Sequence, residues 1–236
     1  MKRLRLMDDA RDNVYAEVLA WVVRQGFDLR GLVWLDVGSR LSRFPAYLSA
    51  LGLQVFACDR DIVEGGKEIA YFHNHVYPAE FQTSYQYFPA CDVRQLRGKA
   101  EVVSAIFTLQ HDESDSTAYR HCFSLLAEGG VLLIVNEFDL TDRGITRPFY
   151  DSNDGNPPRW TLCRRYSRVQ ILERILEPLG NPEADVKVGT TEGVPYFFTA
   201  LRKPPMPVPN AFPMGIYRVP VAEVVPHLEV EHDHPD

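Results

Sequence analysis

The sequence predicts an α/β fold in which strands and helices alternate along one domain. Short apolar runs of strand length, such as residues 32–35 and 131–135, alternate with segments that carry apolar residues at helical spacing. Strands that alternate with helices form a parallel sheet. The unbroken run 131–135 is typical of a strand buried on both faces, as central strands of such sheets are. A length of 236 residues is within the usual range of a single α/β domain.

Each element can be justified in chain order. Residues 8–26 are predicted as a helix, because apolar residues such as Val14 and Val18 share one face and Gly26 ends the run. Ser42 is placed to cap a helix over 43–51, and Gly52 follows its end. Seven apolar runs are predicted as strands: 32–35, 53–58, 85–91, 101–107, 131–135, 185–188 and 196–201.

The segments between these strands are predicted as helices or loops. Residues 61–84 are read as a helix followed by a loop, and residues 116–127 as a helix closed by Gly129 and Gly130. Residues 139–160 are predicted as a long irregular segment, and segments of this length inside compact domains are usually functional or disordered. Ser167 caps a last helix that reaches residue 179. Pro89 in the third strand suits only an edge position or a strand end.

Composition excludes several classes of protein. The chain is 45% hydrophobic and 24% charged, with a net charge of −7, so it carries no general footprint for nucleic acid. No apolar run reaches about 18 residues, so no membrane span is expected. The basic start is followed by acidic residues and is not a signal peptide. Four scattered cysteines without a CxxC pair indicate a reducing, cytoplasmic location.

The C-terminal tail differs from the rest of the chain. Residues 204–236 hold eight of the 17 prolines and are predicted as an extension of a domain that spans 1–203. Such an arm packs on its own body or on a partner, which makes a homodimer through this extension one expected arrangement.

The strongest functional pattern lies in residues 33–61. The first predicted strand ends in Asp36, Val37 and Gly38, and the second ends at Asp59. Parallel sheets bind ligands beyond the carboxyl ends of their strands. A carboxylate there can accept hydrogen bonds from both hydroxyls of a ribose. The pattern therefore predicts a nucleoside cofactor, although Asp59 would also suit the start of a loop.

These motifs resemble those of the class I methyltransferases that use S-adenosylmethionine (SAM), over residues 32–201. The family's acid followed by Gly-x-Gly-x-Gly aligns with residues 36–42, and its strand-end acids align with Asp59 and Asp92. Residues 107–138 resemble its fourth strand, the following helix and the Gly-Gly entry to the fifth strand. The resemblance implies a Rossmann-like, doubly wound, mostly parallel seven-stranded sheet with an antiparallel last strand. It also implies SAM as the cofactor, and methyl transfer to oxygen or nitrogen of a small-molecule acceptor.

The resemblance also implies which residues bind the cofactor. Two positions depart from the family pattern, because Arg40 and Ser42 replace its second and third glycines. Arg40 can point away, pair with the methionine carboxylate of SAM, or block the site. The implied cofactor-binding residues are Asp36, Gly38, Ser39, Arg40, Asp59, Arg60, Asp92 and Val93.

Three further residues are candidates for catalysis. His111 follows the fourth strand and has the pKa class that removes a proton near neutrality, although it also suits a solvent-facing His-Asp pair. Glu137 and Tyr150 are candidates by position alone. About half of the aromatic residues within 71–87 are expected in the core, and the others, with Phe149, Tyr150 and Trp160, are expected to wall a pocket for a flat or apolar acceptor. No metal is predicted, because His73 and His75 lack the further ligands in fixed geometry that a metal needs.

Two other functions compete with methyl transfer. Arg40 and Ser42 suit a degenerate member that kept the fold and acts as a binding or scaffold module. A nicotinamide-dependent oxidoreductase also expects an acid about 20 residues beyond the glycine turn, as Asp59 is. That function is disfavoured because the chain has no Gly-x-Gly-x-x-Gly and places an acid directly before the turn.

Overall fold

The computed structural model describes residues 9–39, 42, 44–59, 85–151 and 159–205. These residues form an α/β domain in which helices cover both faces of a sheet. The nine strands of the described part are β1 (Val33–Val37), β2 (Gln54–Asp59), β3 (Tyr85–Pro89), β4 (Ala100–Ile106), β5 (Leu126–Glu137), β6 (Ile145–Asp151), β7 (Arg159–Arg165), β8 (Val186–Thr191) and β9 (Val194–Arg202).

Seven of these strands form one sheet in the order β3-β2-β1-β4-β5-β9-β8. Strands β1 to β5 pair in parallel, whereas β9 is antiparallel to both of its neighbours, β5 and β8. The predicted seven-stranded, mostly parallel sheet with an antiparallel last strand is therefore confirmed. Pro89 is the last residue of β3, which lies at the end of the strand order, as expected for a residue that cannot donate to the ladder.

Two helices begin where the local sequence signals place them. The Oγ atom of Ser42 accepts the backbone N–H of Phe44 at 3.1 Å, and Ser167 forms a capping box with Gln170. Both predicted caps are confirmed. The helices are α1 (Asp9–Arg24), α2 (Phe44–Ala50), α3 (Asp115–Leu125) and α4 (Arg168–Ile171), the last continuing through a π turn (Leu172–Leu176) and a 3-10 turn (Glu177–Leu179).

The hydrophobic core lies in two layers, one on each face of the seven-stranded sheet. Residues of α1 and α2 pack with Trp34 on one face, and residues of α3 and α4 pack with Leu35 on the other. Successive residues of a strand point to opposite faces, so the largely apolar β4 and the unbroken apolar run 131–135 of β5 serve both layers. This double burial holds the carboxyl ends of the central strands in fixed positions.

Three predictions about elements are wrong. Residues 139–160 are not one irregular segment, because β6 and β7 pair as an antiparallel hairpin. Gly129 and Gly130 do not close a helix but lie within β5, where they exchange backbone hydrogen bonds with Lys203 at 3.1 and 2.8 Å. Asp92 does not end a strand, because β3 stops at Pro89 and Asp92 lies in the 3-10 helix Ala90–Leu96.

Other predictions fall on residues that the structure does not describe. The helix and loop over 61–84, together with His73 and His75, lie outside the described residues, as does the tail from residue 206 onward. Within the described ranges, none of the helices has the length and apolar character needed to cross a membrane.

Candidate functional site

The strand order reverses direction between β1 and β4. From β1 the chain builds outward through β2 and β3, and from β4 it builds outward the other way through β5. Open α/β sheets bind ligands in the crevice beyond the carboxyl ends of the strands at such a switch point. The loops that follow β1 and β4 therefore form the candidate site, which begins at Gly38 on one side and at Phe107 on the other.

Gly38 and Thr108 bring these two loops into direct contact. Gly38 has φ +73°, and a Cβ atom at this position would lie 1.8 Å from Oγ1 of Thr108. The backbone N–H groups of Gly38 and Ser39 both donate to the carbonyl of Cys58, at 2.8 and 3.2 Å. The turn thus requires glycine for its conformation and for its close packing. The same two hydrogen bonds fix the turn beside Asp59, the last residue of β2.

Asp36 is held by the neighbouring strand. Its side chain is buried, and its Oδ1 atom accepts a hydrogen bond from the Ser104 hydroxyl at 2.6 Å. Ser104 in turn accepts the indole N–H of Trp34 at 2.8 Å. Ser104 thus holds the Asp36 carboxylate in place, a role that could not be predicted from the sequence. The one signal for it was a serine inside the largely apolar β4.

Phe107 adopts a backbone conformation that is uncommon for a bulky residue. Its φ is +52°, and its N–H donates to the carbonyl of Val135 at 2.7 Å. The ring packs edge-on against Tyr196, with 6.2 Å between the ring centroids. Such strain is maintained only where the surroundings impose it, and it clusters at functional sites.

A 3-10 helix, Leu109–His111, follows β4 and carries two residues that contact the hairpin or β5. The buried Gln110 side chain accepts the backbone N–H of Glu137 at 2.8 Å and also donates to the Glu137 carboxylate at 3.4 Å. Nδ1 of His111 lies 2.8 Å from the carbonyl oxygen of Leu162 on β7. A carbonyl oxygen can only accept, so Nδ1 carries a proton and Nε2 is the nitrogen able to accept one.

The carboxylate of Glu137, at the end of β5, is contacted by Gln110, Cys163 and Arg165. Arg165 on β7 donates to it through Nε at 2.7 Å, and the Cys163 thiol lies 3.6 Å from its Oε1 atom. Burial, followed by the Glu137 charge, raises the pKa of Cys163 to about 11. The thiol therefore stays protonated at neutral pH and is not a nucleophile. These contacts join the hairpin to the carboxyl edge of the sheet.

A second polar cluster, centred on Asp115, fixes the other side of the hairpin. Asp115 is fully buried at the start of α3 and accepts hydrogen bonds from Arg164 at 2.7 Å and from the Tyr166 hydroxyl at 2.9 Å. Arg174 also donates to both carboxylate oxygens. Burial, followed by the Asp115 charge, raises the pKa of Tyr166, which keeps this hydroxyl a donor. The cluster connects β7 and the helix that begins with α4 to α3.

The structure brings some of the predicted site residues together. Asp36, Gly38 and Ser39 lie at the carboxyl edge, where the backbone of β2 ends at Asp59. His111 and Glu137 meet through Gln110. Val93 is buried in the core layer of α3.

The remaining predicted site residues are not described to the same extent. Arg40 and Arg60 lie outside the described residues, and only the backbones of Asp59, Asp92 and Tyr150 are described. The predicted aromatic wall falls largely on the same segments. In the part of the chain that is described, no group of three or more His, Cys, Asp or Glu side chains is arranged to hold a metal ion.

Several residues of the site were missed by the sequence analysis. Gln110, Cys163 and Arg165 surround Glu137, and Asp115 anchors the hairpin. The partners lie 26 to 59 residues apart along the chain, so no local pattern could have connected them.

No family model matches the chain, and no curated protein is significantly similar to it in sequence. Solved structures are similar in fold. A 1,6-didemethyltoxoflavin-N1-methyltransferase from Burkholderia thailandensis was solved with bound 1,6-didemethyltoxoflavin and S-adenosylhomocysteine. It is 20% identical with a TM-score of 0.56, and the match covers 84% of this chain and 80% of that chain. Magnesium protoporphyrin IX methyltransferase from Synechocystis, with bound SAM, is 18% identical with a TM-score of 0.54, covering 82% and 80%.

A SAM-dependent methyltransferase from Methanosarcina mazei is 13% identical with a TM-score of 0.57, covering 78% of this chain and 97% of its own. These likenesses show that the chain has the fold of the class I SAM-dependent methyltransferases. They also agree with the fold that the resemblance over residues 32–201 implied.

Proposed function

We propose that this protein transfers a methyl group from SAM to an oxygen or nitrogen atom of a small-molecule acceptor. The observation that supports this most directly is the meeting of the loops after β1 and β4 at the switch point of the sheet, with Gly38 packed against Thr108. The structural neighbours that were solved with SAM or its demethylated product share this fold. The acceptors named for those neighbours are small molecules, which supports the same class of acceptor here.

The residues at this edge fit an adenosine-containing cofactor. Asp59 ends β2 directly after the carbonyl that anchors the Gly38 turn, and a carboxylate at this place accepts both hydroxyls of a ribose. Asp36 adds a buried carboxylate to the same edge. SAM, when bound, supplies a methyl group that is already activated on a sulfonium. The protein therefore has to orient the acceptor and exclude water.

His111 is proposed as the residue that removes a proton from the acceptor. The Leu162 carbonyl fixes the proton on Nδ1, so Nε2 takes up the acceptor's proton as the new bond forms. Glu137 is engaged by Arg165, and we assign it to positioning the hairpin rather than to proton transfer. Tyr150 lies on β6 of the same hairpin and remains a candidate by its place in the chain.

The first test is binding of SAM and S-adenosylhomocysteine, measured by isothermal titration calorimetry. We expect both to bind in the micromolar range and Asp59→Asn to weaken binding at least about tenfold, since a charge-assisted contact is lost. Asp185→Asn, an exposed acid just before β8, is the matched control and should bind as the wild type does. Absence of binding by either ligand would contradict the proposal and favour a scaffold module with this fold.

The cysteines bear on the cellular location of the protein, and the C-terminal extension bears on its assembly. Cys122 and Cys163 carry free thiols and are buried. This supports the predicted reducing, cytoplasmic environment. A homodimer through the C-terminal extension stays a prediction, because residues 206–236 are not described.

A further inference from the structure

The hairpin of β6 and β7 presents two arginines on one face. Cys163 pairs with Arg147 across the hairpin, and Arg165 pairs with Ile145. Directly paired residues share a face, and residues two apart on a strand share it too. Arg147, Cys163 and Arg165 therefore lie on one face, with the two arginines as diagonal neighbours. Long side chains in this relation are within reach of one another.

This face of the hairpin is turned toward the carboxyl edge of the sheet. Cys163 lies 3.7 Å from the Gln110 amide and 3.6 Å from the Glu137 carboxylate. The carbonyl of Leu162, one residue before Cys163, contacts His111 at 2.8 Å. The arginine pair is thus on the same hairpin as the carbonyl that holds the histidine we assign to proton removal, and Cys163, which shares the face of the arginines, is the next residue after that carbonyl.

The charges on this face do not cancel. Arg165 contacts Glu137 through Nε, and its side chain is 30% exposed. Arg147 is exposed, and none of the residues that the structure describes forms an ion pair with it. Both guanidinium groups also lower the pKa of Cys163, against burial and the Glu137 charge, so both positive charges act at the same point. Two cations are thus opposed by one carboxylate.

We propose that Arg147 and Arg165 bind an anionic group, a carboxylate or a phosphate, of the methyl acceptor. Glu137 fixes Arg165 through Nε and leaves the terminal nitrogens of the guanidinium as donors to the ligand. Planar guanidinium donors match the geometry of carboxylate and phosphate oxygens. This inference rests on the proposed function, because it names the class of acceptor for the same site.

The test compares anions with neutral analogues that carry the same aromatic ring. Benzoate and benzamide, salicylate and salicylamide, and phenyl phosphate and phenol are titrated calorimetrically into protein saturated with S-adenosylhomocysteine. We expect at least one anion to bind about tenfold more tightly than its neutral partner, as a charge-assisted contact provides. Arg147→Gln and Arg165→Gln should each abolish most of that preference. Arg143→Gln, an exposed arginine before β6, is the matched control and should preserve it.

The outcomes separate this inference from the proposed function. Binding of S-adenosylhomocysteine without preference for any anion overturns the arginine site alone. Equal loss of preference in all three variants, including Arg143→Gln, also overturns it, because the effect would then be one of net charge. Arg147→Gln keeps the test independent of folding, since this side chain is exposed and holds no described structural contact. Failure of S-adenosylhomocysteine to bind contradicts the proposed function, and the anion titrations are then read on the protein alone.

Discussion

Replacing Gly38 by alanine tests the geometry on which the cofactor site depends. Gly38 has φ +73°, and its added Cβ would lie 1.8 Å from Oγ1 and 2.4 Å from Cβ of Thr108. Rotation of the Thr108 side chain cannot relieve the second contact, because that Cβ atom is attached to the backbone. The loops after β1 and β4 would have to separate.

The expected cost has two parts. An alanine in the left-handed region is disfavoured by about 1–2 kcal/mol. Forcing extra atoms into a packed site adds typically 1–3 kcal/mol. Gly38→Ala should therefore lower the free energy of unfolding by about 2–5 kcal/mol. Gly31→Ala is the matched control, because Gly31 has φ +71° and no atom within 4 Å of the added Cβ, so only the first part applies.

Urea unfolding and calorimetry provide the two measurements. The midpoint should fall further in Gly38→Ala than in Gly31→Ala, and only Gly38→Ala should weaken binding of S-adenosylhomocysteine. If the two variants are equally stable and bind equally well, the packing of Gly38 against Thr108 is not what shapes the site.

Two further predictions concern acidic residues outside the cofactor turn. Asp115→Asn leaves the buried Arg164 without its counter-charge and should lower the free energy of unfolding, measured in urea, by about 3–5 kcal/mol. The control Glu113→Gln changes an exposed acid and should lower it by less than about 0.5 kcal/mol. Similar effects of the two substitutions would contradict the role of the Asp115 cluster. Burial raises the pKa of Asp139, but hydrogen bonds from Thr141, Arg143 and Gly144 together lower it below its ordinary value. The stabilisation by the Asp139 carboxylate is present above its pKa in the unfolded state and is lost as pH falls through its pKa in the folded state. The free energies of unfolding of Asp139→Asn and wild type, measured in urea, should therefore differ most near neutral pH and become equal in acid. A difference that does not change with pH would refute this.

The elements that could be predicted from the sequence are those with local causes. Ser42 and Ser167 cap their helices through hydrogen bonds to residues two or three positions away. The central strands are apolar on both faces, so their runs could be read directly. The strand-end position of Asp59 followed from the same pattern.

The hairpin could not be predicted because its strands lack a local apolar signal. β6 contains Pro148 and pairs with β7, and β7 contains three arginines, two of which contact the distant residues Asp115 and Glu137. Gly129 and Gly130 were misread for a similar reason, since only pairing with Lys203 shows that they belong to a strand. Most residues on the candidate acceptor side of the site therefore could not be predicted from the sequence, whereas some residues on the proposed cofactor side could.

The contact between Gly38 and Thr108 also bears on how the two halves of the proposed site influence each other. The loop that begins at Gly38 lies on the side proposed for the cofactor. The loop with Thr108 leads into the 3-10 helix Leu109–His111, which carries the proposed proton acceptor. Neither loop can shift without displacing the other. Occupancy on one side therefore sets the geometry that the second ligand meets, and thermodynamic reciprocity requires the influence to run equally in the opposite direction. In the proposed methyl transfer, this coupling would take the form of mutual cooperativity between the two ligands, with neither required to enter first.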